Sequence, residues 1–376
     1  MKQKLSILIY SLASGGAEKV LSLLLFNLHK KYDITLFLMN NTIFYAIPKN
    51  LKIIYLENSN PMENGLKKFL KLPFLSWRYK KLNSANISLS FMNRPNYINI
   101  LAKMMGMQSK IVVSERSMPS LQHKEGIQGM INRVLIKLLY PKADQIICNS
   151  IGNTQDLFDN FQIKDINTIS NPIDIENIDN LAKVPLQYRD EKFIFITIGR
   201  LDRGKNHQIL LETMKNIDAK LYIIGEGKLK NSLAEKIKFF NLQNKIILLG
   251  QQLNPYQYLV QADCFVFTSL HEGFPNVLLE ALTCGLPIIS TDCQSGPREI
   301  LAPNSDINFQ LKDNIELADY GILTPTKNVE KLQEAMSLII NNNSLRKNYQ
   351  DKAKIRANDF KIDTIIKQYD EILCAE

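Results

Sequence analysis

The chain has 376 residues, 45% of them hydrophobic and 22% charged, with a formal net charge of +9. That length suits two domains, each with its own core, and the composition excludes a disordered or fibrous chain. No apolar run approaches the roughly 20 residues needed to span a bilayer. The charge is uneven. Residues 1–150 hold 21 Lys+Arg against 7 Asp+Glu, a net of +14, and residues 151–376 hold 25 against 30, a net of −5. A basic first half predicts an anionic partner for it, with nucleic acid and anionic membrane both open. The five cysteines (Cys148, Cys264, Cys284, Cys293, Cys374) are scattered without a CxxC pair. That fits reduced thiols in a cytoplasm and gives no metal signature.

The apolar run Leu5–Tyr10 predicts a first strand, at 4–10, and is too short and too soon broken to be a signal peptide. A helix is expected at 16–30, with Val20, Leu21, Leu24, Leu25 and Leu28 on one face. Gly15-Gly16 falls between the two, where glycine lets backbone approach a ligand closely. It is not a full GxGxxG pattern, so no dinucleotide fingerprint follows. Further strands are expected at 33–39, 52–56, 86–91, 110–114, 144–148 and 166–170, with helices between most of them. Such alternation predicts a parallel sheet covered on both faces.

Residues 66–82 mix six cations with Phe69, Phe74, Trp77 and Tyr79. Such a stretch can lie on an anionic bilayer, or be a surface helix with a buried aromatic face. Nucleic acid is disfavoured, because no binding module accompanies the patch. Residues 171–190, with Asn171-Pro172 and Pro185, read as the inter-domain linker.

A second alternating set follows. Strands are expected near 193–198, 220–224, 245–249, 263–267, 286–290 and 320–323. Helices are expected at about 206–215, 228–240, 254–261, 276–284, 328–341 and 345–357. A last helix at about 361–374 comes after this domain is complete. The domains expected are 1–180, with 361–376 packing back on it, and 190–360. Two doubly wound α/β domains in tandem predict strand carboxyl ends facing one cleft, where ligands of such sheets bind.

The chemistry concentrates in His271–Leu282. It reads as the apolar strand Cys264–Phe267, a loop, then a helix with Pro275 at its first position and Cys284-Gly285 as its stop. The amides of Asn276, Val277 and Leu278 at a helix N-terminus predict an anion site suited to phosphate. Glu272 and Glu280 on either side accept hydrogen bonds, as the hydroxyls of a hexose and a ribose would require. In Gly199–Asn206, Arg200 and Lys205 leave another strand end, where Arg offers fixed paired donors and Lys a movable charge. Together these four charges ask for one ligand, a nucleoside diphosphate sugar.

These residues resemble the retaining GT-B glycosyltransferases of family 4 over almost the whole chain. The resemblance lies in Ser14-Gly15-Gly16-Ala17-Glu18, Asn171-Pro172-Ile173-Asp174, Gly199–Asn206, Gly225-Glu226-Gly227, and the two glutamates Glu272 and Glu280 with seven residues between them. It implies a GT-B fold of two Rossmann-like domains facing a cleft, with the C-terminal helix crossing back. It makes Arg200 and Lys205 diphosphate ligands, Glu280 the ribose ligand and Glu272 the ligand of donor-sugar hydroxyls. Gly273, Phe274 and the amides of Asn276–Leu278 become the phosphate lining, and Gly15 and Gly16 the glycine loop facing the donor. Many relatives have His after the Ser-Glu near 115, where this chain has Ser114-Glu115-Arg116.

Ile9–Leu12, Phe69–Phe74, Tyr79–Leu82 and Asn93–Ile98 further resemble the second GalNAc transferase of bacterial lipid-linked N-glycan assembly, with cousins in O-antigen and capsule pathways. This implies UDP-GalNAc as donor, no metal, and a glycan on undecaprenyl diphosphate as acceptor. The implied place is peripheral, on the cytoplasmic face of the inner membrane, with 66–82 on its anionic surface and no nucleic-acid partner. The expected reaction loosens the glycosidic bond first, with Arg200 and Lys205 stabilising the leaving diphosphate and the acceptor entering on the same face. Glu272 as a covalent nucleophile is the rival route. An epimerase or phosphorylase on the same frame, and a non-enzymatic membrane scaffold, are the other readings.

Overall fold

A computed structural model describes residues 2–58, 65–184 and 191–374, apart from the side chain of Leu66. Pro185 and the rest of the expected linker's end lie outside the described residues. The chain divides into two compact units, Met1–Pro172 with Ile362–Glu376, and Ile173–Lys361.

The first unit holds seven strands: β1 (Gln3–Ile9), β2 (Tyr32–Leu38), β3 (Lys52–Tyr55), β4 (Ile87–Phe91), β5 (Lys110–Glu115), β6 (Gln145–Cys148) and β7 (Ile166–Thr168). They form one parallel sheet in the order β3-β2-β1-β4-β5-β6-β7. These are the seven strands expected; the central β1, β4, β5 and β6 are apolar runs buried on both faces, while β3 and β7 at the two edges are partly exposed. Period-two alternation sorts β1 between two cores. Leu5, Ile7 and Ile9 meet the helix Gly16–Leu28 on one side, and Leu8 meets the helical layer on the other.

The terminal helix Ile362–Cys374 belongs to this unit. Its Ile362, Ile365, Ile366, Tyr369 and Leu373 are buried in the core that holds Val20, Leu24 and Leu28. Arg116, 8% exposed, fixes that arrangement. Its guanidinium donates to Ser114 Oγ at 3.4 Å, to Tyr369 Oη at 3.3 Å and to Asn171 Oδ1. Arg116 is therefore a buried tie between β5, Asn171 and the returning helix.

A polar chain runs through the core of this unit. Tyr79 Oη sits 2.7 Å from Ser88 Oγ, which donates to Asn99 at 2.6 Å; Asn99 donates to Ser90, and Ser90 to Asn96. Asn96 donates to Tyr140 Oη at 3.0 Å, and Tyr140 donates to Glu115 Oε2 at 2.7 Å. Buried polar groups are tolerable only when partnered in this way. Burial pushes the Glu115 carboxyl above its ordinary value, while the Tyr140 hydrogen bond opposes the rise.

The second unit holds β8 (Ile194–Ile198), β9 (Lys220–Ile224), β10 (Ile246–Gly250), β11 (Cys264–Phe267), β12 (Ile288–Thr291), β13 (Glu316–Ala318) and β14 (Gly321–Thr324). Their order is β10-β9-β8-β11-β12-β14-β13, parallel except for β13, which pairs antiparallel with β14 at the edge. The sequence predicts the other six. β13 was not expected, because three half-exposed residues leave no alternating signal. The expected linker is also corrected. It contains the helix Ile175–Ala182, whose Asp174 side chain accepts the Asn177 amide at 3.0 Å and whose Ile178 is buried in the core of this unit.

No described helix is long and apolar enough to cross a membrane. The cysteines of the described residues are free thiols, with Cys148, Cys264 and Cys293 buried.

Candidate functional site

In both units the strand order reverses direction between two neighbours, β1 and β4 in the first and β8 and β11 in the second. Loops leaving a sheet's carboxyl edge at such a switch point splay apart and leave a crevice for ligands. The two charged stretches singled out above are the loops after β8 and β11, so the second sheet brings them side by side.

The loop after β8 is shaped by close backbone contact. Gly199 N–H donates to Ile224 O at 3.0 Å, and Leu201 N–H to Glu226 O at 2.9 Å. Gly225 and Gly227 lie beneath it with φ of 149° and 158°. A Cβ on Gly225 would stand 1.9 Å from Gly199 O, and one on Gly227 2.5 Å from Leu201 O. Only glycine fits there. Asp202 organises the charges, since its carboxylate accepts the Lys205 amide at 3.0 Å and pairs with Arg200 Nε at 3.2 Å. The Arg200 side chain is 73% exposed.

The two loops are joined. Leu270 N–H donates to Gly204 O at 2.8 Å, and Thr268 Oγ1 to Lys205 O at 2.9 Å. At the end of this seam Lys205 Nζ lies 2.5 Å from Glu272 Oε1. These side chains keep only 21% and 14% of their exposure, so the pair sits at the rim of the buried region. The expectation gave them separate ligands; the structure couples them. Lys205 also stands 5.4 Å from the centroid of the Phe267 ring.

Two buried groups lie close to the pair. His207 is 3% exposed, and burial, reinforced by the Lys205 charge, holds its imidazole down at about 4. It is therefore neutral at pH 7 and adds no second cation beside Lys205. Burial, with Glu272 next, pushes the Cys293 thiol well above its ordinary value, which disfavours the thiolate.

The helix after β11 runs Asn276–Thr283, with Pro275 as its N-cap at φ −76°, ψ 106°. Pro275 thus stands one residue earlier than expected, in extended geometry, outside the first turn. Of the three amides expected to face a phosphate, that of Leu278 donates to Pro275 O at 3.1 Å. The amides of Asn276 and Val277 belong to the helix's first turn, where its dipole is positive. Phe274 is 5% exposed and its ring packs edge-on against Phe360, with centroids 5.5 Å apart. Its ring is therefore core. Glu280, in the second turn, is 2% exposed. Cys284, one turn on, has its thiol pushed up to about 12 by burial and then by Glu280.

The loop after β12 supports Gly273. Glu272 N–H donates to Gln294 O at 2.9 Å, and Ser295 Oγ to Gly273 O at 3.0 Å. Gly296, at φ 91°, brings its Cα so close that a Cβ would meet Pro275 Cδ at 2.6 Å. Arg298 anchors this loop from below. It is 4% exposed and donates to Asp292 through Nε at 3.1 Å and Nη2 at 2.7 Å, and to Glu316 through Nη2 at 2.9 Å. Those hydrogen bonds raise the Arg298 pKa against the opposing effect of burial. Asp202, His207, Ser295 and Arg298 were missed in the sequence. Gly296-Pro297 was the one available signal, a turn dipeptide.

In the first unit Gly15 is the N-cap of the helix Gly16–Leu28, in extended geometry. The space of its missing side chain is taken by Glu18, whose Oε2 would lie 2.1 Å from a Cβ there. Residues 66–82 fall in the helices Gly65–Leu70 and Leu72–Leu82. Leu72, Leu75 and Tyr79 are buried, while Phe74 and Trp77 are 58% and 46% exposed and stack with centroids 6.2 Å apart. The Lys81 ammonium lies 3.9 Å from the Trp77 centroid. Buried face and exposed aromatics thus coexist. Among the described residues no group of three or more His, Cys, Asp or Glu is placed to hold a metal ion.

Comparison with known proteins adds three findings. Residues 180–356 match the family model described as glycosyl transferases group 1. The chain is 42% identical over 367 residues to the N-acetylgalactosamine-N,N'-diacetylbacillosaminyl-diphospho-undecaprenol 4-alpha-N-acetylgalactosaminyltransferase of Campylobacter jejuni, covering 95% of this chain and 96% of that one. The crystal structure of Anabaena Alr3699/HepE in complex with UDP shares its fold, with a TM-score of 0.78 over 99% of each chain at 17% identity.

Proposed function

The chain belongs to the group 1 glycosyl transferases, and we propose that within that family it moves GalNAc from UDP-GalNAc onto a saccharide carried by undecaprenyl diphosphate. The 42% identical Campylobacter enzyme supports both donor and acceptor. The observation that carries the site assignment is the Lys205–Glu272 pair, at 2.5 Å, beside the first turn of the helix Asn276–Thr283.

In this reading the donor's diphosphate rests on Arg200, Lys205, the backbone of Gly273 and Phe274, and the amides of Asn276 and Val277. Glu280 accepts from the ribose and Glu272 from the sugar hydroxyls. Lys205 and Arg200 stabilise the charge that grows on the leaving diphosphate oxygen as the glycosidic carbon–oxygen bond breaks. The acceptor hydroxyl forms the new bond on the same face and gives its proton to a phosphate oxygen. No metal is needed when two cations and a helix terminus carry that charge. The first unit serves the acceptor, and its Gly15 and Gly16 form the glycine loop that faces the donor. The aromatic and basic helices of 66–82 rest on the cytoplasmic face of the inner membrane, where the protein is held peripherally.

The test is UDP release from a panel of UDP-sugars, with and without a lipid-linked saccharide extract, for the wild type and Lys205→Ala. UDP-GalNAc should give acceptor-dependent release that the variant loses. Release from another sugar alone would replace GalNAc. Absence of release from every UDP-sugar would overturn the proposal.

A further inference from the structure

The helix Gly126–Leu139 of the first unit carries an apolar stripe that no described residue of the unit covers. Its Gly129, Asn132, Ile136 and Leu139 are buried beneath it. On the opposite side Ile127, Met130, Val134 and Leu138 are 76%, 62%, 50% and 62% exposed. Spacings of three, four and four residues place these four on one line along the helix. A single exposed leucine is ordinary; a continuous stripe marks a contact surface.

Cations border the stripe. Lys124, Arg133 and Lys137 are exposed, and among the described residues none of them pairs with a carboxylate. With Met130 and Val134 they line a hollow of about 450 Å³. Between residues 123 and 142 the chain holds one acid, Glu125, against these three cations and Lys142.

This combination selects the occupant. A second copy of the chain would lay the same cations against themselves, and like charges repel. An acidic soluble partner would satisfy the cations and leave the stripe in water. An anionic bilayer takes both at once, apolar side chains at the acyl boundary and cations among the lipid phosphates. We propose that the helix Gly126–Leu139 lies in the surface of an anionic membrane, stripe downward, with Lys124, Arg133 and Lys137 on lipid phosphates. The inference rests on the membrane-facing role proposed for this unit and moves its main contact to a second helix. The two contacts adjoin, because a Cβ on Gly65 would meet the Gln128 side chain at 2.5 Å.

The test uses the full chain without sugar nucleotide, co-sedimented with vesicles of phosphatidylcholine alone or mixed with phosphatidylglycerol. The wild type should pellet with the anionic vesicles and be released by salt. The pairs Met130→Ser/Leu138→Ser and Arg133→Glu/Lys137→Glu should each weaken binding about tenfold or more. The control Ile355→Ser, an exposed residue of the second unit, should leave it unchanged. Unchanged binding of both pairs, or equal binding to neutral vesicles, would overturn the proposal. So would a dimer in sedimentation velocity that Met130→Ser/Leu138→Ser returns to monomer, which would give the stripe to a second copy. UDP binding, measured beside each variant, should not move. Failure on vesicles therefore falls on this inference, and failure of acceptor-dependent UDP release falls on the transferase proposal.

Discussion

Lys205 and Glu272, 67 residues apart in the chain, meet at 2.5 Å across the seam between the β8 and β11 loops. The ion pair holds both side chains at the rim of the buried region. In the function proposed above, Glu272→Ala removes the acceptor of sugar hydroxyls and leaves the cation and the helix terminus for the diphosphate. It should lower turnover about 100-fold or more while UDP still binds. Lys205→Ala should instead weaken UDP itself by roughly tenfold to 100-fold, as expected for a hydrogen bond to a charged group worth about 1.5–3 kcal/mol. Calorimetric titration with UDP beside the release assay separates the two. Full turnover in Glu272→Ala would remove it from the reaction.

Gly225 shapes the loop that carries both cations. Its φ of 149° and the 1.9 Å approach of Gly199 O to a built Cβ leave no room for any side chain. Gly225→Ala forces the backbone of the Gly199–Arg200 turn to move. The expected cost is about 3 kcal/mol or more, read as a lower urea midpoint, together with weaker UDP binding. An unchanged midpoint would show that the loop has slack.

How far the sequence reached follows from which interactions are local. The thirteen strands expected are present because the inner ones are apolar runs that a parallel sheet buries on both faces, and the edge strands β3, β7 and β10, though partly exposed, are still short apolar or β-branched runs. The places of Glu272, Arg200 and Lys205 in loops at strand ends, and of Glu280 in the second helical turn, were legible because loop, helix and strand ends are punctuated by Gly and Pro. The Lys205–Glu272 contact was out of reach, since pairing across 67 residues depends on sheet order. Arg116 was equally illegible: its partners Asn171 and Tyr369 lie 55 and 253 residues away. The error at Pro275 was local. Proline's fixed φ suits the N-cap as well as the first turn, and only ψ, at 106°, separates them.

Arg298 ties the loop under Gly273 to the sheet through Asp292 and Glu316. Arg298→Leu leaves the Asp292 carboxylate, 2% exposed, without its cation. Breaking one side of such a buried pair costs about 3–5 kcal/mol. Because Ser295 and Gly296 lie on this loop, donor KM should rise more than kcat falls in any variant that still folds. Arg298→Lys keeps the charge but not the forked donors, and should recover part of the stability. Equal donor KM in Arg298→Lys and the wild type, with reduced stability, would confine Arg298 to folding alone.

His207 gives the second unit a specific acid sensitivity. Its folded-state value of about 4 lies below the ordinary 6.5 because burial and Lys205 both disfavour the imidazolium. The unfolded chain therefore takes up a proton at a higher pH than the folded one. Its contribution to stability is complete above pH 6.5 and is lost progressively as the pH falls toward 4. Urea unfolding should show about 2 kcal/mol less stability at pH 5 than at pH 7 from this group alone. His207→Gln removes the titration, so its stability should be lower at pH 7 yet flatter across that window. Parallel curves for variant and wild type would mean that His207 is protonated as readily in the fold as out of it.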